Sequence, residues 1–219
     1  MSGFFSTDDN ANHLVYRKAM EEQLFLFEQP SYDVVIGADE AGRGPLAGPV
    51  CAAAVVLPKD FPFEILNDSK KLSGKQREAA EPVIKEKALA WAVAWATPAE
   101  IDSINILRAS MLAMKRACEK VCLQLKDKGL EAGILLVDGN KRPDVDMPCE
   151  AIVKGDSKVH EIMAASILAK TARDAFMISA AKRWPQYGFE KHKGYPCPSH
   201  KEALRKNGPC PIHRRSFSW

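Results

Sequence analysis

The stretch YDVVIGADEAGRGPLAGPV, from Tyr32 to Val50, decides how this chain folds. An apolar run typical of a buried strand leads directly into two adjacent carboxylates, Asp39 and Glu40, and then into the turn Gly42-Arg43-Gly44. Burying unpaired carboxylates costs several kcal/mol unless a cation or hydrogen-bond donors compensate. The stretch therefore predicts a strand that ends at a functional site, with positive charge beside it.

Strand and helix patterns alternate along the chain, which indicates an α/β fold. Short runs rich in Val, Ile and Ala predict strands at 32–37, 49–57, 88–96, 133–137 and 149–153. Capping signals and periodicity predict helices at 73–87, from Thr97, at 106–126 and at 158–183. We expect Pro82 to kink the first helix or to move its start.

The composition fits one sizeable domain, and it argues against a membrane protein or a secreted protein. The chain has 219 residues, 46% of them hydrophobic, without a run of 18 apolar residues or a signal-like N-terminus. We therefore predict a cytoplasmic protein whose six cysteines stay reduced. No CxxC pair indicates a zinc site, although three histidines and two cysteines lie between 192 and 213.

The charge is concentrated at one end of the chain. Residues 182–219 hold nine Lys or Arg against two Glu, a net charge of +7, whereas residues 1–181 have a net charge of −4. Interleaved aromatic residues suit this segment to phosphate backbones and to stacking on sugars or bases. We divide the chain into an N-terminal extension at 1–31 that is partly mobile, a catalytic domain at 32–185 and a basic C-terminal substrate-binding region at 186–219.

Two further predicted strands lead into isolated acids, Asp138 after GILLV and Asp156 after AIVKG. Each alone has a structural explanation, because Asp-Gly is a common turn and an Asp before a helix is commonly an N-cap. Together with Asp39 and Glu40 they predict four carboxylates at one edge of the sheet. The negative charges of four such carboxylates repel one another unless divalent cations neutralise them.

An all-carboxylate ligand set favours Mg²⁺ or Mn²⁺ over Zn²⁺. Two such ions about 3.5 to 4 Å apart can bind both the attacking water and the leaving oxygen of a phosphodiester. Neighbouring residues of a regular strand point to opposite faces of the sheet, however. Asp39 and Glu40 are therefore expected to share a site only if the strand relaxes at the turn, where residues 41–44 permit it.

Six motifs in the same order resemble those of bacterial ribonuclease HII. They are DEAGRGPLAGPV from Asp39, NDSKKLS from Asn67, VDGN from Val137, KGDS with AASILAKTARD between Lys154 and Asp174, HKGY from His192 and HRRSF from His213. The resemblance spans most of the chain. One departure bears on Tyr195, because Pro196 and Cys197 follow HKGY where the family commonly has Gly and Thr.

The resemblance implies a ribonuclease H-like α/β fold, with a central mixed sheet flanked by helices and a small helical C-terminal region. It implies that Asp39, Glu40, Asp138 and Asp156 are the catalytic residues and hold two divalent ions, Mn²⁺ or Mg²⁺. It further implies that Gly42, Arg43 and Gly44 sense the ribose 2′-hydroxyl, that Tyr195 stacks on the following deoxyribose, and that Ser69 and Lys70 lie near the substrate backbone.

The implied activity is endonucleolytic cleavage of the RNA strand in RNA/DNA hybrids, including the bond 5′ to a single ribonucleotide embedded in duplex DNA. The products carry 3′-hydroxyl and 5′-phosphate ends, and the implied biological role is removal of ribonucleotides from DNA by a monomer.

Two other functions remain open from the residues alone. A metal-dependent kinase or phosphatase could use Asp138, but GRGPLAGP lacks the Gly-Lys-Ser/Thr ending of a phosphate-binding loop. A noncatalytic nucleic-acid-binding module could use the basic segment but would leave the acids unexplained. Arg173 and Asp174 are expected to form a structural pair, with no part in catalysis.

Overall fold

The structure, a computed structural model, describes residues 33–66 and 73–218. The predicted mobility of residues 1–31 and the predicted substrate contacts of Ser69 and Lys70 lie outside the described residues.

Five strands form one mixed sheet in the order β3-β2-β1-β4-β5. The strands are Val35–Ala41 (β1), Val50–Val56 (β2), Ala90–Ala96 (β3), Ile134–Asp138 (β4) and Cys149–Ile152 (β5). β1 runs antiparallel to β2 and parallel to β4, so the central strand joins an antiparallel half of the sheet to a parallel half. Four strands coincide closely with the predicted apolar runs, whereas β1 begins three residues later than the predicted run 32–37 and continues through Asp39 and Glu40 to Ala41.

Six helices accompany the sheet in the described part of the chain. They are Gly74–Lys87 (α1), Pro98–Ile104 (α2), Ile106–Asp127 (α3), His160–Arg183 (α4), Phe189–His192 (α5) and Pro198–Asn207 (α6). The predicted caps are confirmed, because Ser73 and Thr97 each form a capping box with the third residue of the helix. Pro82 lies inside α1 and did not move the start of the helix.

Two long helices cover the sheet, one on each face. α3 packs against the face that carries Ile36, Ala38 and Val137, whereas α4 packs against the face that carries Cys51 and Ala53. Because β2 is covered on both sides, its sequence is apolar throughout and does not alternate. The fold is the predicted mixed sheet flanked by helices.

The α4 helix lies directly on the backbone of β1. A Cβ atom added at Gly37 would lie only 2.3 Å from the backbone carbon of Glu161, so a side chain there would push the helix away. This close contact fixes the position of α4 relative to the end of β1. Asp39 lies there, two residues after Gly37.

The C-terminal segment closes over the loop that follows β1. Leu46 donates to Gly194 O and Gly48 donates to Ile212 O, both at 2.8 Å, and Arg214 N donates to Leu46 O. The described residues from Asp33 onward belong to one compact unit. The helical character of the C-terminal region is as predicted, and its substrate-binding role stays a prediction. In the ranges 33–66 and 73–218, no helix has the length and apolar character that crossing a membrane requires.

Candidate active site

All four predicted acids line one open cavity of about 470 Å³ at the carboxyl ends of β1 and β4. Asp39 and Glu40 lie near the end of β1, Asp138 is the last residue of β4, and Asp156 lies in a short 3-10 turn before α4. A larger cavity of about 800 Å³ beside α3 contains none of these residues. The juxtaposition predicted from the strand ends is therefore present.

The β1 strand does not relax at the acidic pair, contrary to our expectation. Its ladder with β2 continues through Asp39, Glu40 and Ala41, which face Ala53, Ala52 and Cys51. The ladder with β4, in contrast, ends at Ala38. Asp39 and Glu40 thus leave opposite faces of the strand and reach the same cavity because it opens around the strand's end.

Asp39 is nearly buried, with 6% of its surface exposed. Its Oδ1 accepts the N–H of Glu40 at 2.7 Å, and its carboxylate also bonds to the Ser166 side chain of α4. Burial, followed by the charges of Glu40 and Asp138, raises the pKa of Asp39 well above its usual value. A cation in the cavity would oppose both effects and favour the ionised form.

Asp138 and Glu40 are held by protein groups as well. Oδ1 of Asp138 accepts the N–H groups of Gly155 at 2.7 Å and Asp156 at 3.4 Å. Glu40 forms an ion pair with the Arg43 guanidinium at 3.4 Å. The carboxylates therefore share one cavity, and neighbouring donors position Asp39, Glu40 and Asp138.

The residues fit a hard divalent cation by their chemistry. Four carboxylate groups converge on the cavity, and the buried Asp39 is disfavoured in its charged form without a counter-charge. Across the described residues, no three Asp, Glu, His or Cys side chains already form a metal-binding group as they stand.

The glycine turn beside the acids is shaped by two buried arginines. Gly42 has φ = +101°, a backbone conformation that favours glycine, and a Cβ there would lie 2.0 Å from Nε of Arg173. Arg214 donates to the carbonyl oxygens of Gly42, Arg43 and Gly48. The bare backbone of Gly42 thus accommodates an arginine of the protein itself.

Arg173 does not form the predicted pair with Asp174. Asp174 is paired instead with Lys170 at 2.7 Å, one helical turn earlier on α4. Arg173 is only 1% exposed and donates to three carbonyl oxygens, those of Ala47, Pro49 and Lys193, at 3.1 to 3.2 Å. Because an arginine fork can serve several acceptors at once, it crosslinks the turn to the C-terminal segment.

Tyr195 lies beside the same turn, although Pro196 follows it. Its side chain is 45% exposed, and its ring lies 3.4 Å from the position that a Cβ would take at Gly44. Both residues line the acidic cavity. The structure therefore brings together the carboxylates, the glycine turn and the tyrosine that the sequence singled out.

Three histidines, His192, His200 and His213, form a cluster that supports the Tyr195 segment. Cys210 N donates to Nδ1 of His213 at 2.9 Å, so the His213 proton lies on Nε2 and is donated to Nε2 of His200 at 3.1 Å. Nδ1 of His200 then donates to Tyr195 O at 2.9 Å. The His192 ring stacks on His200 with centroids 4.5 Å apart.

Neutral imidazoles are favoured at His200 and His213. Burial, and next the neighbouring His200, lower the pKa of His213 from 6.5 to about 4. Burial is also the main cause that lowers the pKa of His200. These histidines, which could have been interpreted as zinc ligands, form a hydrogen-bonded cluster that supports the Tyr195 segment.

Sequence reasoning missed three further residues of the cavity wall or its support. Arg77 of α1 and Ser166 of α4 line the cavity, and Arg214 lies buried behind the turn. Ser166 and Arg214 belong to quoted motifs, AASILAKTARD and HRRSF, which was the available signal. Arg77 lies in an ordinary charged helix pattern that offered none.

Known proteins resemble this chain in sequence and in fold. The family model for ribonuclease HII matches residues 36–219. The chain is 58% identical to ribonuclease HII of Dechloromonas aromatica over 84% of this chain and 90% of that one. It is 56% identical to ribonuclease HII of Neisseria meningitidis serogroup C over 83% and 91%. The crystal structure of ribonuclease H2 from Pyrococcus horikoshii matches 84% of this chain and 94% of that one, with 27% identity and a TM-score of 0.65.

Proposed function

Because the chain belongs to the ribonuclease HII family, and is therefore an endonuclease acting on RNA/DNA, we propose that it also cuts duplex DNA 5′ to a single embedded ribonucleotide. The observation that supports this most directly is the shared cavity. It contains the four carboxylates together with Gly42, Arg43, Gly44 and Tyr195, so groups able to cut and groups able to recognise a sugar lie side by side.

The four acids have the role of metal ligands in this proposal. Enzymes of the family depend on divalent ions, and we propose Mn²⁺ or Mg²⁺ at Asp39, Glu40, Asp138 and Asp156. When bound, such ions supply an activated water and neutralise charge on the leaving oxygen. The chain's own contribution is to place the ligands, since Ser166 orients Asp39 and Gly155 orients Asp138.

The turn and Tyr195 have the role of selecting the bond. Arg43 and Gly44 are exposed at the edge of the cavity, where backbone donors can meet a ribose 2′-oxygen. The ring of Tyr195 beside Gly44 offers an exposed face for stacking on the next sugar. Cleavage 5′ to the ribonucleotide then leaves a 3′-hydroxyl and a 5′-phosphate, as the first step of removing ribonucleotides from DNA.

The basic C-terminal region at 186–219 binds the duplex backbone in this proposal. Its net positive charge lies next to Tyr195, and its binding should weaken with rising salt concentration. We propose that one chain suffices, because the cavity is lined by residues of a single chain. A cytoplasmic location and a boundary near residue 185 stay predictions from the sequence.

A gel assay with a duplex that contains one ribonucleotide tests the proposal. We expect a single cut 5′ to that nucleotide with Mn²⁺ or Mg²⁺, and none in an all-DNA duplex or after chelation. Equal cutting of both duplexes, or cutting that survives chelation, would overturn it. Binding without cutting under either ion would instead favour a noncatalytic nucleic-acid-binding module.

A further inference from the structure

Arg214 lies behind the glycine turn and makes unusual contacts for a buried charge. It is fully buried, and its three donor nitrogens bond to the carbonyl oxygens of Gly42, Arg43 and Gly48. Its guanidinium also lies over the Phe217 ring at 5.1 Å from the centroid. Peptide dipoles of one short loop and the nearby charge of Asp102 thus compensate the positive charge.

Stability alone gives little reason for this arrangement. Burial, and next the nearby charge of Arg173, lower the pKa of Arg214 to about 9, so two like charges lie close together in the interior. Burying charge in this way carries a desolvation cost, which an apolar side chain would avoid. The fork geometry of a guanidinium is what allows one side chain to hold three carbonyl groups.

The contacts of Arg214 fix the orientation of two successive peptide planes. In a trans peptide the C=O and the following N–H point in opposite directions. When Gly42 O and Arg43 O point inward to Arg214, the N–H groups of Arg43 and Gly44 must point away from it. Both residues are exposed and line the acidic cavity, so N–H groups directed away from Arg214 can face the site.

We propose that Arg214 is a positioning residue for substrate selection. It holds Arg43 N–H and Gly44 N–H as a preformed pair of donors that recognises one acceptor oxygen of the nucleotide, the ribose 2′-oxygen. This inference rests on the proposed function, because it assigns the donors to the sugar that the enzyme selects. Preformed donors need no reorganisation when the substrate binds, which is why their orientation affects selectivity.

Two substrates and two variants separate this role from a structural one. The substrates are duplexes with one embedded ribonucleotide or its 2′-fluoro analogue, which presents a much poorer acceptor. Arg214→Lys keeps the charge but replaces the planar fork, in which three nitrogens each reach a different carbonyl, by a single ammonium nitrogen. Arg116→Lys is the control, because Arg116 also bonds to a carbonyl, Trp95 O at 2.8 Å, and to Glu100, but lies outside the cavity.

We expect wild-type kcat/KM to fall strongly from the ribonucleotide to the 2′-fluoro substrate. In Arg214→Lys the ratio of kcat/KM for the ribonucleotide substrate to kcat/KM for the 2′-fluoro substrate should shrink by about tenfold, which is the effect of one well-aligned hydrogen bond. Arg116→Lys should keep the wild-type ratio. An unchanged ratio in Arg214→Lys would overturn the proposal. A wild-type enzyme that does not distinguish the two substrates would instead contradict the proposed function.

Amide hydrogen exchange of the wild-type protein tests the inference even if Arg214→Lys does not fold. The N–H groups of Arg43 and Gly44 should exchange rapidly without substrate, unlike the ladder amides of β1, and should slow when the ribonucleotide duplex is bound with Ca²⁺ replacing the catalytic ion. Protection of both amides in the free protein would show that they face inward, and the proposal would fail.

Discussion

Oδ1 of Asp138 accepts the N–H of Gly155 at 2.7 Å, so the side chain at the end of β4 fixes the turn that carries Asp156. One predicted metal ligand thereby positions another. Since an asparagine at 138 retains Oδ1, it can keep this contact while it removes the charge.

Asp138→Asn should abolish cleavage and leave the fold intact. Loss of several kcal/mol of charge stabilisation lowers the rate about 1,000-fold or more. The measurements are the gel assay and thermal unfolding. Asp144→Asn is the matched control, because Asp144 is fully exposed and only pairs with Lys115 at the surface. Activity retained in Asp138→Asn would remove this residue from the site.

Gly42→Ala should destabilise the protein and also remove activity. The new Cβ would lie 2.0 Å from Nε of Arg173, and φ of +101° is unfavourable for alanine. We expect a loss of roughly 2 kcal/mol or more in the free energy of unfolding measured in urea. Gly129→Ala shares the positive φ, at +70°, but has no atom within 4 Å of its Cβ position, so it should lose only about 1 kcal/mol. Equal losses of unfolding free energy in the two variants would mean that the contact with Arg173 does not add to the destabilisation of Gly42→Ala.

Tyr195→Phe should retain most of the activity, whereas Tyr195→Ala should lose it. Stacking needs the ring and not the hydroxyl, and one aromatic stacking contact accounts for roughly 1 to 3 kcal/mol. We therefore expect KM for the ribonucleotide duplex to rise by about tenfold or more in the alanine variant. Because the side chain is 45% exposed, thermal unfolding should change little. A comparable defect in the phenylalanine variant would point to a role for the hydroxyl group.

The histidine cluster should make the fold acid-sensitive. The pKa of His213 falls from 6.5 to about 4 on folding, so the unfolded chain takes up the proton first as the pH decreases. Stability associated with this residue is therefore present above pH 6.5 and is lost progressively as the pH falls toward 4. Unfolding in urea at several pH values should give a shallower pH dependence for His213→Gln, which keeps a donor for His200. Replacement of the exposed His160 controls for the loss of a histidine. An equally shallow pH dependence of stability in that variant would contradict the prediction.

Much of the fold was predictable because its signals are local. The strands were visible as short apolar runs, and Ser73 and Thr97 carry their capping partners three residues later. Asp39, Glu40, Asp138 and Asp156 could be placed together because strand ends meet at an edge of the sheet.

The arrangement behind the turn was not predictable, because it depends on contacts distant in sequence. Arg173 appeared to be one member of a helix-end pair, yet its acceptors lie more than a hundred residues earlier at Ala47 and Pro49. The predicted role of Gly42 toward a ligand stays a prediction, but its missing side chain also makes room for that arginine. No local pattern reports which backbone carbonyl a buried guanidinium will bind.

The bond between Arg214 and Gly42 spans 172 positions of the chain. All four carboxylates are synthesised before Arg214, so a nascent chain has its complete set of acids while the turn still lacks its support. Contacts of such long range also form late in folding, because their loop-closure entropy must first be overcome. The order of synthesis thus places the support of the glycine turn last, after all four carboxylates.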